Sequence, residues 1–219
     1  MISSQPFLAS WSGGKDACLA FHLALASGHR PVALINMLNE TGERSRSHGL
    51  SPALLNAQAA ALGLPLLTGS ATWAGYETEF VARLLEAREL HGATAAVFGD
   101  IDLQPHRDWE EMVCARAGLS PLLPLWQRSR RELVEEMVDS GIVARIVSCN
   151  AALGPDFLGR AIDRTLIAEL EALGIDACGE NGEYHTVVLD APAFNAAIAV
   201  RQGARQRHGD YWFLDLSLV

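Results

Sequence analysis

Two short stretches carry residue types whose spacing can do chemistry. Residues 12–16 read Ser-Gly-Gly-Lys-Asp. They follow an apolar run and precede a helical pattern, so they form a turn at a helix start. Amide N–H groups at a helix start lack partners and carry partial positive charge, which suits an anion such as phosphate. Gly13 and Gly14 let the backbone approach it closely, Ser12 offers a hydroxyl, and Asp16 opens the helix. Lys15 is the only lysine among 17 Lys and Arg residues. Arginine is a planar fork and lysine a compact ammonium, so this position is one where a point charge fits and a fork does not. Read blandly, the stretch is a Gly-Gly turn and Lys15 a chance survivor. The second stretch, residues 178–186, reads Cys-Gly-Glu-Asn-Gly-Glu-Tyr-His-Thr. Glu180 and Glu183 flank Asn-Gly, a good hairpin turn with surface glutamates. The same turn can aim both carboxylates one way, to hold a cation or take a proton from a nucleophile.

Other residues are less specific. His48 follows Arg44 and Arg46 in a polar loop that can close over a ligand or stay solvated. Asp100 and Asp102 follow an apolar strand and could face magnesium on a nucleotide or act as cap and turn. Arg107 and Glu110 are one helical turn apart, which reads as a surface pair. Cys178 lacks a visible base and reads as structural. Trp73, Tyr76, Trp109 and Trp126 read as core, and Arg128, Arg130 and Arg131 as a solvated helix start.

These residues need elements to hold them. FLASW, VALINML (32–38), PLLTG, AAVFG (95–99), PLLPLW and ARIVSCN read as strands or extended runs. Helical patterns cover 16–27, 51–62, 76–91, the RDWEEMVCARAG stretch, and a helix to about Asp139 opened by the capping box SRRE at 129–132. Such alternation predicts an α/β fold, a parallel sheet with helices on both faces. After about residue 175, HTVVLDAP, FNAAIAV and YWFLDLSLV are strand-like runs between turns, so a smaller, mostly β C-terminal part is expected. The boundary is placed at 126, giving a nucleotide-binding domain over 1–126 and a substrate-binding part over 127–219.

Composition narrows the classes. A chain of 219 residues that is 49% hydrophobic can bury a core. A net charge of −9 disfavours a phosphate-backbone surface, so no nucleic-acid partner is expected. No apolar run reaches membrane-spanning length and no basic leader precedes one, so no membrane is expected and the cytoplasm is the expected compartment. The four cysteines are scattered, without a C-x-x-C pair for zinc.

SWSGGKDA resembles the S-G-G-x-D-S loop of the PP-loop ATP pyrophosphatases, with Ala17 at the usual serine. CGENGEYHT is similar to the E-G-G-E-[YF]-E-T motif of the diphthine–ammonia ligase family, itself a PP-loop family, with Asn181 for a glycine and His185 for a glutamate. SHGLSPALLNAQAAALGLPL, GDIDLQPHRDWEEMVCARAGLSPLLPLW and DFLGRAID resemble further segments of that family, and the chain looks like its bacterial branch. In the middle segment, Gln104, Pro105 and His106 stand near the place of the usual Tyr-Gln before arginine. The resemblance implies a PP-loop fold of the adenine nucleotide alpha hydrolase type, with ATP and Mg²⁺ as cofactors. A substrate carboxylate would be adenylated with release of pyrophosphate, and ammonia or an amine would then displace AMP. It also implies site roles. Ser12, Gly13, Gly14, Lys15, Asp16 and Asp100 would bind the nucleotide, and Lys15, Glu180 and Glu183 would act in catalysis. His48, Arg107, Asn181, Tyr184, His185 and Thr186 would face the substrate, and the metal ligands stay open. Diphthamide is a modification of elongation factor 2 in archaea and eukaryotes, so the acceptor here is expected to differ from diphthine. It would be a carboxylate on a protein side chain or a small molecule, and a homo-oligomer is compatible with the sequence. The competing readings are a nucleotide-binding sensor without chemistry, which has no need of Glu180 and Glu183, and another PP-loop adenylating enzyme with a different acceptor. A tRNA-modifying enzyme is disfavoured by the acidic balance and the lack of paired cysteines.

Overall fold

The computed structural model describes residues 4–219. Five strands, β1 (Pro6–Ser10), β2 (Arg30–Leu38), β3 (Leu66–Ser70), β4 (Ala95–Val97) and β5 (Ser120–Leu122), pair in parallel in the order β3-β2-β1-β4-β5. Helices α1 (Lys15–Ala26), α2 (Pro52–Leu62), α3 (Tyr76–His91) and α4 (Gln104–Ala117) connect them. Strand alternation divides the core. Phe7, Ala9, Leu34 and Val97 face a cluster with α1, while Leu8, Ala33, Ile35 and Ala96 face a second cluster with Phe80 and Leu84 of α3 and Val113 of α4. This is the sheet with helices on both faces that the sequence predicts.

The order reverses between β1 and β4, so their carboxyl ends open a crevice where open α/β sheets bind ligands. Gly99, just past β4, packs so closely on α1 that an added Cβ would lie 2.8 Å from the Ala17 nitrogen. The β4 end and the Ser12–Asp16 loop are therefore pressed together.

After α5 (Arg130–Asp139), capped by Ser129, come β6 (Val143–Asn150), α6 (Arg164–Ala172), β7 (Tyr184–Asp190), β8 (Val200–His208) and β9 (Tyr211–Leu218). The four strands form an antiparallel sheet in the order β7-β6-β9-β8. Two details differ from the sequence reading. ARIVSCN joins this second sheet, although its apolar run continues the βα alternation. FNAAIAV is irregular as far as Ala199, and the strand is the polar stretch from Val200. β8 is an edge strand exposed along nearly all its length, so no buried face imposes an apolar pattern on it. Side chains of both sheets share one core: Phe7, Leu34 and Leu55 lie in the same cluster as Ile146, Val188 and Leu214.

Candidate active site

The Ser12–Asp16 loop is stitched to β7 of the second sheet. The Lys15 backbone N–H donates to Thr186 Oγ1 at 3.0 Å, and the Val188 N–H donates to the Gly13 carbonyl at 2.9 Å. Gln58, fully buried on α2, donates from Nε2 to the carbonyls of Gly13 (2.9 Å) and Val188 (2.8 Å), and its Oε1 accepts from the Trp11 indole at 2.9 Å. Gly13 has φ +84°, a conformation open to glycine, and an added Cβ would lie 2.6 Å from Leu50. Gly14 has no room either, because a Cβ there would collide with the His48 ring. The sequence reading left Gln58 out. The available signal was its place in the buried set of α2, with Leu54, Leu55 and Ala59.

Above the loop opens a cleft of about 730 Å³. Ser12, Lys15, Asp16, His48, Asp100, Glu180, Tyr184, His185 and Thr186 line it, while Gly13 and Gly14 are buried in the loop between Ser12 and Lys15 and do not themselves line it. The two motifs, which begin at Ser12 and Cys178 and so are far apart in the chain, thus meet at one site. Lys15 is buried, with Nζ 2.7 and 2.9 Å from the Asp16 carboxylate, 3.9 Å from Glu180 Oε1 and 5.6 Å from the centre of the Tyr184 ring. Burial opposes its charge, but Asp16 and the other groups around it hold its pKa well above the ordinary lysine value. Burial, with repulsion from Asp16, raises Glu180 to about 7, which poises it for proton transfer near neutrality. Burial pushes the Cys178 thiol up to about 12, so it stays a thiol, in line with a structural role. His48 and His185 pack together with ring centres 4.9 Å apart and planes tilted by 40°, and His48 Nδ1 lies 2.7 Å from the Thr186 carbonyl. Burial lowers them to about 4 and about 3, so this pair is neutral at physiological pH.

Three expected site residues lie elsewhere. Glu183 turns back on its own hairpin, accepting from the Asn181 N–H at 3.0 Å and from Asn181 Nδ2 at 3.2 Å. The two glutamates therefore do not aim the same way, because the free N–H groups at the turn capture one of them. Asn181 is exposed, and its Oδ1 accepts from Arg130 at 3.0 Å. Arg107 donates to Glu111 at 2.7 Å and lies 5.1 Å from the Trp126 ring centre, outside the cleft. Arg130, read as part of a solvated cluster, braces the site. It bonds both Asp102 oxygens (2.7 and 2.9 Å) and Asp176 (2.6 Å), and Asp176 in turn accepts from the N–H groups of Cys178 and Glu180. Asp102 is thereby a brace, while Asp100 faces the cleft with His106 Nδ1 at 2.7 Å.

The far end of the cleft is aromatic. Tyr76, Phe80 and Trp109 lie 4.9–6.0 Å apart, and Trp73, expected in the core, is 74% exposed at the rim. Glu110, expected on the surface, is buried at this end. It belongs to the buried stripe of α4, with Val113, Cys114 and Ala117 at i+3, i+4 and i+7. A carboxylate in an apolar stripe was the signal that could have found it.

The N-terminus of α1, with Ser12 and Lys15 lining the cleft, suits a polyphosphate. The Asp16 and Glu180 carboxylates, with ligand atoms within 4.8 Å of each other, suit a hard cation, whereas the neighbouring Cys178 sulfur does not.

Comparison with known proteins agrees in kind. Residues 7–121 match the family model described as the diphthamide synthase N-terminal domain, and residues 129–218 the C-terminal domain of the same enzyme. The diphthine–ammonia ligase of Homo sapiens is 32% identical over 86% of this chain and 80% of its own length. That of Danio rerio is 33% identical over 95% and 91%. A solved structure described as a predicted subunit of a tRNA methyltransferase from Methanocaldococcus jannaschii aligns at 15% identity with a TM-score of 0.45, covering 85% of this chain and 98% of its own, and at that score it bears on nothing further. The described helices include none long and apolar enough to cross a membrane. The two matched domains and the shared length place the loop and the acidic turn in a common enzyme framework, and the chain belongs to the diphthamide synthase (diphthine–ammonia ligase) family of carbon–nitrogen ligases.

Proposed function

We propose that the cleft carries out ATP-dependent amidation of a carboxylate through an acyl-adenylate. The observation that carries this reading is the convergence of Lys15, Asp16 and Glu180 in one cleft at the start of α1. The phosphates of ATP lie on the loop amides, Ser12 and Lys15. Mg²⁺ held by Asp16 would offset phosphate charge while Lys15 turns from the carboxylates to the phosphates, which leaves Glu180 free of the metal. A carboxylate is a poor electrophile with a poor leaving group. Its oxygen bonds the α-phosphorus, pyrophosphate leaves, and AMP becomes the leaving group for nitrogen. The loop positions the reacting atoms and stabilises charge, which dominates such transfers. Glu180, near neutrality in its proton affinity, takes the surplus proton from nitrogen.

The relatives are named for diphthine and ammonia. Here the neutral His48–His185 pair stands beside the loop, with His185 where the family motif has a glutamate, which favours an acceptor other than diphthine. The test is an acceptor with ¹⁸O in its carboxylate, diphthine-bearing elongation factor first. Adenylation puts one ¹⁸O into AMP and yields an amide by mass spectrometry. An amide formed with no label in AMP would refute the acyl-adenylate.

A further inference from the structure

The aromatic end of the cleft holds an acidic pair that the loop chemistry leaves unused. Glu110 is 3% exposed, faces the cleft, and has no N–H or O–H donor at Oε2 among the described residues. The group beside it is the Asp100 carboxyl. No lysine or arginine pairs with either one among the described residues, and the only ion-pair partner of Asp100 is the half-exposed His106. Tyr76 and Trp109, with ring centres 5.7 Å apart, line the same cleft as this pair. The same aromatic group already accepts a cation on its outer side, where the Arg46 guanidinium lies 4.4 Å from the Trp73 ring centre and 5.8 Å from that of Tyr76. Asp100 follows Gly99, which packs on the Asp16–Ala17 backbone, so the pair adjoins the loop.

We propose that the Asp100–Glu110 pair, in the part of the cleft lined by Tyr76 and Trp109, is the binding site of the nitrogen donor, taken up as ammonium. The proposal rests on the ligase reading above and assigns its second substrate a place. Carboxyl oxygens accept the N–H bonds, and the ring faces attract the cation where water is scarce. Burial and the neighbouring Asp100 raise Glu110 to about 10, so Glu110 keeps its proton at neutral pH. Ammonium gives one proton to water at the open side of the cleft, leaving ammonia. Ammonia forms the C–N bond, the C–O bond to AMP breaks with its electrons on AMP, and the surplus proton on nitrogen goes to Glu180. Potassium and sodium have no proton to give and no N–H to donate.

The test needs neither ATP nor acceptor. Tryptophan fluorescence of the full chain is titrated with ammonium chloride, potassium chloride and sodium chloride at constant ionic strength. The expected result is a saturable response to ammonium alone, largely lost in Trp109→Phe. Its midpoint should weaken by about tenfold or more in Asp100→Asn and in Glu110→Gln, the scale of one lost charge-assisted hydrogen bond. Circular dichroism checks that each variant is folded, and the partly exposed Asp100 supplies a readout if Glu110→Gln does not fold. An absent ammonium response, an equal midpoint with potassium, or an unchanged midpoint in a folded variant would overturn the proposal. AMP release is measured separately. AMP formation without ammonium binding would overturn this site alone. Ammonium binding without AMP formation under any acceptor would overturn the ligase reading, and with it the donor role.

Discussion

The two ends of the cleft hold the same kinds of acid and treat them differently. At the loop end, Glu180 faces Lys15, whose ammonium offsets part of the burial cost, and the carboxyl stays near about 7. At the aromatic end, Glu110 has no cation and a second carboxyl beside it, and it is driven to about 10. The environment, more than the residue type, decides which carboxyl exchanges a proton at neutral pH and which keeps one. The same contrast separates Glu180 from Glu183, which are three residues apart. One enters the cleft, while the other is held on the Asn181 amides.

The strongest way to break the contrast is to remove its cation. Lys15→Ala should lower AMP formation by about 10²–10³-fold, the scale of losing one preorganised charge-stabilising group. Lys15→Arg should remain impaired, because a planar fork does not fit a point-charge site. Steady-state AMP release with a folded-state check measures both, and unchanged turnover in both would return Lys15 to a chance survivor. Next in size is the base. Glu180→Gln should cut amide formation by about 10²-fold. The wild-type rate should rise with pH through about 7 as the carboxyl loses its proton, and the variant profile should lack that limb. Glu183→Gln should cost less than about tenfold, since its carboxylate bonds only the turn. A loss equal to that of Glu180→Gln would show that the turn rearranges to bring both acids into the cleft.

The smallest effect is on stability. The Glu110 carboxyl has a folded pKa of about 10, above its ordinary value, so it is protonated in the folded chain and ionised in the unfolded chain between those limits. The unfolded state therefore binds fewer protons, and stability is fully present at low pH and declines as pH rises toward 10. Glu110→Gln abolishes that decline. Its melting temperature should exceed that of the wild type at pH 8 by more than at pH 5, with about 2–4 °C for each kcal/mol in a chain of this size. Parallel melting curves at the two pH values would refute the assignment.

The sequence showed what depends on local chemistry. The glycines of the loop, the Ser51 and Ser129 caps and the apolar runs each act within a few residues, and they placed the parallel sheet and the loop correctly. It did not show what depends on meeting across the chain. Gln58 and Glu110 are polar residues inside apolar helical stripes, and their partners, Val188 and Asp100, come from other elements. Arg130 looks solvated in a run of arginines, yet it spans from Asp102 to Asp176 and Asn181. β8 escaped because an edge strand with both faces wet leaves no periodic trace.

Chromatography of the nucleotide products, with ammonium chloride and candidate carboxylate acceptors present, tests the central claim most directly. The cleft as described predicts AMP and pyrophosphate in equal amounts, formed only when an acceptor is present and reduced in Lys15→Ala and Glu180→Gln. ADP and phosphate as the only products of turnover would contradict it.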